Sequence, residues 1–273
     1  MAPLLEDING RAAAILGDLA DVVVHDIYDP LGARLYDAVA LQDSHELREM
    51  IAIARRTTGP ILVLACGAGR FTLPLLALGR EVSAVDLSPS MLAILSDRMD
   101  SGYAHLWRNL TLVEADICDF NPEQKFSTVI FGCVTVSLLD AGARRRLFQN
   151  MTSVLAPEGR FFLSTTVTEG DASLNTPGTP IENVQLVKDS AGTRYCLHEY
   201  IVADRSVREI TLIPEDTYTS GPVDVFTTAV RVLPPDQLVT ELQENGLAVL
   251  NTHPVRTPGS AHEIVILEVG LHA

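Results

Sequence analysis

Cysteine, basic charge and long apolar runs are all scarce in this 273-residue chain, and each shortage excludes something. The four cysteines, Cys66, Cys118, Cys133 and Cys196, lie far apart and form no CxxC pair. That argues against a disulfide framework and for a reduced, cytoplasmic setting. The histidines are dispersed and no metal-binding cluster stands out, so no metal is expected. Lys and Arg number 20 against 35 Asp and Glu, a net charge of −15, so a nucleic-acid backbone would be repelled and no nucleic-acid partner is expected. The only basic run, Arg144-Arg145-Arg146, reads as a solvated helix face. No apolar stretch approaches the roughly 18–20 residues that span a bilayer, so no membrane role is expected. The opening residues, Met1 to Asp7, lack the basic start and apolar core of a secretory signal.

What is present falls into four stretches. Residues 1–59 read as an N-terminal helical cap; Leu47, Met50, Ile51 and Ala54 recur at helical spacing after a candidate N-cap, Ser44. From 60 to 167, short apolar runs alternate with amphipathic helices, which implies a parallel sheet covered on both faces. Ile61–Leu64, Glu81–Val85, Leu110–Glu114, Thr128–Phe131 and Arg160–Thr165 are its strands. Residues 168–233 read as an antiparallel β insert, with strands near 183–188, 194–203, 206–213 and 223–233. Residues 234–273 carry a closing helix near 235–245 and two strands, about 247–252 and 263–269.

Chemistry concentrates at one end of the parallel sheet. Ala65-Cys66-Gly67-Ala68-Gly69 joins the first strand to a helix, and its glycines let the chain turn sharply and a ligand approach without meeting a Cβ. Asp86 ends the second strand, where its carboxylate can accept both hydroxyls of an adenosine ribose. Asp116, after the third strand, can accept from an adenine amino group. A nicotinamide site would want G-x-G-x-x-G, but Thr72 holds the third glycine position.

The stretch Leu62–Phe71 resembles the first motif of class I S-adenosylmethionine-dependent methyltransferases. Val85-Asp86-Leu87-Ser88-Pro89-Ser90-Met91-Leu92, Glu114–Ile117 and Leu155–Phe161 are similar to the later motifs, in order. The resemblance implies an α/β, Rossmann-like, seven-stranded methyltransferase sheet whose last strand is antiparallel, with N-terminal helices and the β insert added. It implies S-adenosyl-L-methionine as cofactor, held by Ala65, Cys66, Gly67, Gly69, Asp86, Leu87, Met91, Asp116, Ile117, Gly132 and Cys133. Related small-molecule N-methyltransferases close N-terminal tyrosines over the methionine end, a role that falls to Tyr28 or Tyr36. The family usually has an acidic residue at the position of Val63 to hold the methionine ammonium; Asp43 or Glu46 could substitute, beside a reading as first-turn charges of the helix after Ser44.

His45 and His198 are the candidates for a proton acceptor. The acceptor is expected to be an amine of a peptide or small molecule in natural-product biosynthesis, N-methylated once or twice. The stretch Val134–Asp140 resembles daptide-type methyltransferases, which dimethylate the terminal amine of a ribosomal peptide. O-methylation of a small hydroxylated metabolite and a non-catalytic cofactor-binding scaffold are the alternatives. A homodimer is expected as the partner state, with Tyr195, Glu199 and Tyr200 read as one cluster that tolerates an incoming ammonium.

Overall fold

The structure, a computed structural model, describes residues 4–42, 46–167, 179–202, 204, 206–217, 221–255 and 263–272. The elements in chain order are α1 (Gly10–Gly17), β1 (Val22–Asp26), α2 (Gly32–Gln42), α3 (Leu47–Ala54), β2 (Ile61–Leu64), α4 (Thr72–Ala77), β3 (Val82–Asp86), α5 (Pro89–Gly102), β4 (Leu110–Glu114), β5 (Phe126–Phe131), α6 (Ala141–Val154), β6 (Leu155–Val167), β7 (Ile181–Lys188), β8 (Arg194–Ile201), β9 (Val207–Pro214), β10 (Val223–Arg231), α7 (Pro235–Glu244), β11 (Leu247–Val255) and β12 (Glu263–Leu271). They form two compact units: one from the chain's first 43 residues with residues 169–232, the other from most of the remainder.

The larger unit is built on a seven-stranded sheet ordered β11-β12-β6-β5-β2-β3-β4. β2 pairs in parallel with β3 and β5, while β12 runs antiparallel to both β6 and β11. All four residues of β2 are buried, as an apolar run flanked by helices on both faces requires. One face packs Leu62, Leu64, Phe131 and Phe161 against Leu147, Phe148 and Met151 of α6. The other packs Ile61, Val63 and Ile130 against Met50 of α3, Leu75 of α4 and Leu95 of α5. In α5, Ser88 caps the first turn by accepting from the Met91 N–H, and Pro89 opens the helix where its missing N–H does no harm.

One expected feature of this unit is corrected. Arg144 is not on a solvated face: its side chain is 3% exposed and its Nε and Nη2 each donate to a Glu241 carboxylate oxygen at 2.6 Å. Its neighbours Arg145 and Arg146 are exposed. The helical twist aims the first arginine inward while the next two stay in water.

The smaller unit is a five-stranded sheet ordered β1-β10-β9-β8-β7, antiparallel except for the β1–β10 pair. The sequence predicts the insert strands but not β1, because the N-terminal region reads as helical. The run Val22-Val23-Val24 is β-branched and suits a strand, but its partner, β10, is about 200 positions away and local pattern does not reveal it. Ile8, Ala12 and Leu16 pack α1 on Ile213, Val223 and Val225, while Leu35 of α2 packs with Leu212 and Phe226.

Candidate functional site

The carboxyl edge of the seven-stranded sheet is where backbone strain gathers. Among the described residues, four non-glycine residues have positive φ: Glu46 at 66°, Ala65 at 48°, Cys133 at 57° and Val134 at 55°. Ala65 follows β2, Cys133 and Val134 follow β5, and Glu46 reaches the same loop through its side chain. Such conformations cost on the order of 1–3 kcal/mol each and persist where surrounding structure holds them, which is typical of functional sites. Here the holding contacts are explicit. The Cys133 N–H donates to Glu46 Oε2 at 2.6 Å, and the Val134 N–H donates to Ser164 Oγ at 2.9 Å. Arg70 Nη1 lies 3.1 Å from Cys133 Sγ.

Asp86 ends β3 with both carboxylate oxygens oriented by backbone donors. The Gly67 N–H donates to Oδ2 at 2.7 Å and the Ser88 N–H to Oδ1 at 2.8 Å. A carboxylate offers about four lone-pair positions, so each oxygen keeps room for one more donor. Two vicinal hydroxyls meet that requirement. Leu87, next in the chain, is 67% exposed, an aliphatic surface beside the carboxylate onto which a planar ring can pack. Met91, in the first turn of α5, and Ile117, after β4, are buried, and Asp116 accepts from the Cys118 N–H at 2.8 Å. The two loop glycines differ. A Cβ on Gly67 would meet nothing within 4 Å, whereas one on Gly69 would lie 2.4 Å from Leu95 Cδ1. Gly67 therefore presents bare backbone to open space, and Gly69 allows α5 to close on the loop. Arg98 of α5 ties that loop further, donating to the Ala68 carbonyl at 2.8 Å. These residues fit an adenosine-bearing cofactor: a held ribose acceptor, an apolar platform and a glycine without a side chain.

Cys66, in this loop, is buried. Burial, then the charge of Asp86, pushes its thiol well above the ordinary range. Cys118 is likewise pushed up to about 12 by burial and its hydrogen bond to Asp116.

The structure thus brings Ala65, Cys66, Gly67, Gly69, Asp86, Leu87, Met91, Asp116, Ile117, Gly132 and Cys133 to one sheet edge. Asp43 and His45 lie outside the described residues, as does Ser44. Tyr28 and Tyr36 belong to the smaller unit, where their rings meet edge to face with centroids 5.0 Å apart. His198 is also there, in register with Val184 and Thr211 on the sheet face that carries α1. It is 7% exposed, both ring nitrogens lack a hydrogen-bond partner among the described residues, and burial lowers its pKa. The expected cluster of Tyr195, Glu199 and Tyr200 is split. Strand alternation puts Tyr195 and Glu199 on the α2 face and Tyr200 on the α1 face, and Arg208 Nε donates to the buried Glu199 at 2.5 Å. Glu46 is the carboxylate that pattern alone leaves undecided between a cap and a site; it is 1% exposed and bonded at the edge of β5, which nothing in its local sequence signals.

Comparison with known proteins bears on what this edge binds. A family profile described as a methyltransferase domain matches residues 61–159. The solved glycopeptide N-methyltransferase MtfA, complexed with S-adenosylmethionine, is 30% identical, with 97% of this chain and 99% of that one covered and a TM-score of 0.68. The CcbJ methyltransferase of Streptomyces caelestis shares the fold, with a TM-score of 0.70 at 19% identity over 90% of this chain and all of its own. Nodulation protein S of Sinorhizobium fredii is 25% identical over 126 residues, which cover 46% of this chain and 56% of that protein. The chain thus spans about half the length of the curated relatives it matches, 51% in the case of nodulation protein S of Bradyrhizobium diazoefficiens. Among the described residues, no helix is long and apolar enough to cross a membrane, and no group of His, Cys, Asp and Glu could hold a metal. The methyltransferase motifs fall in order along one sheet edge, in a chain alike over nearly its full length to a solved relative, and it belongs to the class I S-adenosylmethionine-dependent methyltransferases.

Proposed function

We propose that this chain N-methylates an amine of a peptide or small molecule in natural-product biosynthesis, with the α-amino group of a peptide as the favoured acceptor. The observation that carries the reading is the near-full-length likeness to a glycopeptide N-methyltransferase. The daptide-like stretch Val134–Asp140 supports a ribosomal peptide more narrowly; it forms the strained turn after β5.

In this reading Asp86 takes the two ribose hydroxyls, pre-aimed by the Gly67 and Ser88 N–H groups. Asp116, Leu87 and Ile117 frame the adenine, and Gly67 admits the chain of the cofactor where any side chain would stand in the way. Glu46 supplies the negative charge that Val63 cannot, so the ammonium of the methionine end meets a buried carboxylate. The cofactor when bound supplies an electrophilic methyl group. The protein's part is to align an amine with it and exclude water. A peptide α-amine has a pKa of about 7.7–8.0, so a useful fraction arrives neutral near pH 8 and no strong base is required. His198 is 7% exposed and burial lowers its pKa, so in this reading it is assigned no proton transfer.

Methyl transfer from labelled cofactor to α-amino peptides, amino sugars and hydroxylated metabolites, assayed side by side, tests the proposal. Amine acceptors should turn over, and His198→Ala and His45→Ala should each keep more than about a tenth of wild-type kcat at pH 8.5, since loss of a general base typically costs 10²–10⁴-fold. Turnover of hydroxyl acceptors alone, or a folded, cofactor-bound histidine variant that is dead, would refute it.

The two loop glycines give a second check. Gly69→Ala, with φ at 93° and a buried Leu95 in the way, should cost about 1–3 kcal/mol of stability. Gly67→Ala should cost only about 1 kcal/mol of left-handed strain, yet weaken cofactor binding about tenfold or more. Thermal unfolding and calorimetry on both variants separate the roles; equal cofactor loss in both would mean that Gly67 does not face the ligand.

A further inference from the structure

Strand β7 stands at one edge of the smaller sheet, and among the described residues no strand pairs with its outer side. Proteins usually blunt such edges with proline, a bulge, short length or a lysine in mid-strand. β7 has none of these. It is eight residues long, holds regular register with β8 throughout, and carries Leu186 at 64% and Val184 at 40% exposure. Its charges, Glu182 and Lys188, sit near its two ends.

We infer that β7 is a self-complementary edge at which two copies of this chain join their sheets antiparallel, about a two-fold axis through Gln185. The pattern of the strand selects this occupant and this register. Centred on Gln185, the pairing sets Glu182 opposite Lys188 of the second copy, and Lys188 opposite its Glu182. On the same face Val184 meets Leu186, twice over. Opposite charges and apolar pairs directly across an antiparallel ladder are stabilising, and like charges there are not. Moving the axis to Val184 or Leu186 forfeits both charge pairs. Glu182 already accepts from the Arg11 guanidinium and backbone within its own chain, which holds its carboxylate on that face. A single strand pair buries less than the roughly 1,200 Å² of a standard stable interface, so the association is concentration-dependent rather than permanent. Self-association at β7 is independent of which acceptor the protein methylates.

Sedimentation of the full chain from about 1 to 100 μM tests it, with a dimer expected to populate across that range. Lys188→Glu sets two glutamates against each other at both ends and should weaken self-association at least about tenfold; Leu186→Lys should do the same through the centre. Gln185→Cys supplies a test independent of affinity. Cross-strand Cβ atoms lie about 4.5–5.5 Å apart, so mild oxidation should link the introduced thiol to its counterpart in the second copy. Asn183→Cys or Val187→Cys alone should not crosslink, but the two mixed should. A wild-type chain that stays monomeric at the highest concentration, with no crosslink in the Gln185→Cys variant, would overturn the inference. So would a dimer unaffected by Lys188→Glu and Leu186→Lys, which would place the interface elsewhere, or backbone amides of β7 fully protected in the monomer, which would mean that another segment of the same chain covers the edge.

Discussion

Glu241→Ala is expected to lower the stability of the fold by about 3–5 kcal/mol at neutral pH, the largest loss we expect from one substitution outside the site. The change removes both carboxylate partners of Arg144 and leaves a guanidinium, 3% exposed, that still donates to the Leu139 carbonyl at 2.8 Å but faces no counter-charge from Glu241. The cost is that of a buried charge left uncompensated, not the net worth of the pair. Arg144→Met combined with Glu241→Leu should therefore cost much less than Glu241→Ala alone, because both charges go and the volume stays filled. Urea unfolding of the three proteins at pH 7 measures this; a double variant as unstable as the single one would show that packing, not charge, dominates. The hydrogen bonds from Arg144 hold the Glu241 carboxyl below the ordinary glutamate range. Its contribution is then fully present above the unfolded value near 4.3 and is lost as pH falls through the folded one, so acid should unfold the wild type with a component that the double variant lacks. The pair also matters to the site. Leu139 ends the turn that follows β5, so Arg144 ties α7 to the loop that carries Gly132, Cys133 and Val134.

Arg144 also illustrates where sequence reading stops. A run of three arginines carries no mark of which one faces inward; the answer comes from α7, nearly a hundred residues later. The core sheet is legible because its signals are local: an apolar four-residue strand, a glycine loop, an aspartate at the next strand's end, a Ser-Pro helix start. Asp86 and Gly67 can be paired from sequence because the fold brings strand ends together in a fixed order. Glu46 can only be offered as one of two carboxylates, since a buried acid at the start of a helix looks like any first-turn charge. The strand β1 escapes for the same reason, its partner being far along the chain. Ala65 is a subtler case. It follows β2 with φ at 48°, a left-handed conformation that favours glycine. Alanine tolerates that conformation at a cost of about 1–2 kcal/mol.

Two of the carboxylates at the sheet edge, Asp86 and Glu46, should fail in different ways, and that difference tests the site as a whole. Asp86→Ala should weaken S-adenosylmethionine binding at least about tenfold, because two hydroxyls lose a charged acceptor worth roughly 1.5–3 kcal/mol. It should weaken methylthioadenosine, which keeps the ribose but lacks the amino-acid end, by the same factor. Glu46→Gln keeps an oxygen to accept from the Cys133 N–H, at 2.6 Å in the native protein, so the strained turn should survive. What it removes is the charge. S-adenosylmethionine should then bind about tenfold or more weakly, while methylthioadenosine, with no ammonium to lose, binds as before. Calorimetry with both ligands on both variants reads the outcome directly. If Glu46→Gln weakens the two ligands equally, its carboxylate acts only through the loop, and the charge missing at Val63 is made good by another group. If Asp86→Ala spares either ligand in a folded protein, the ribose is not held at the end of β3 and the cofactor lies elsewhere along the edge.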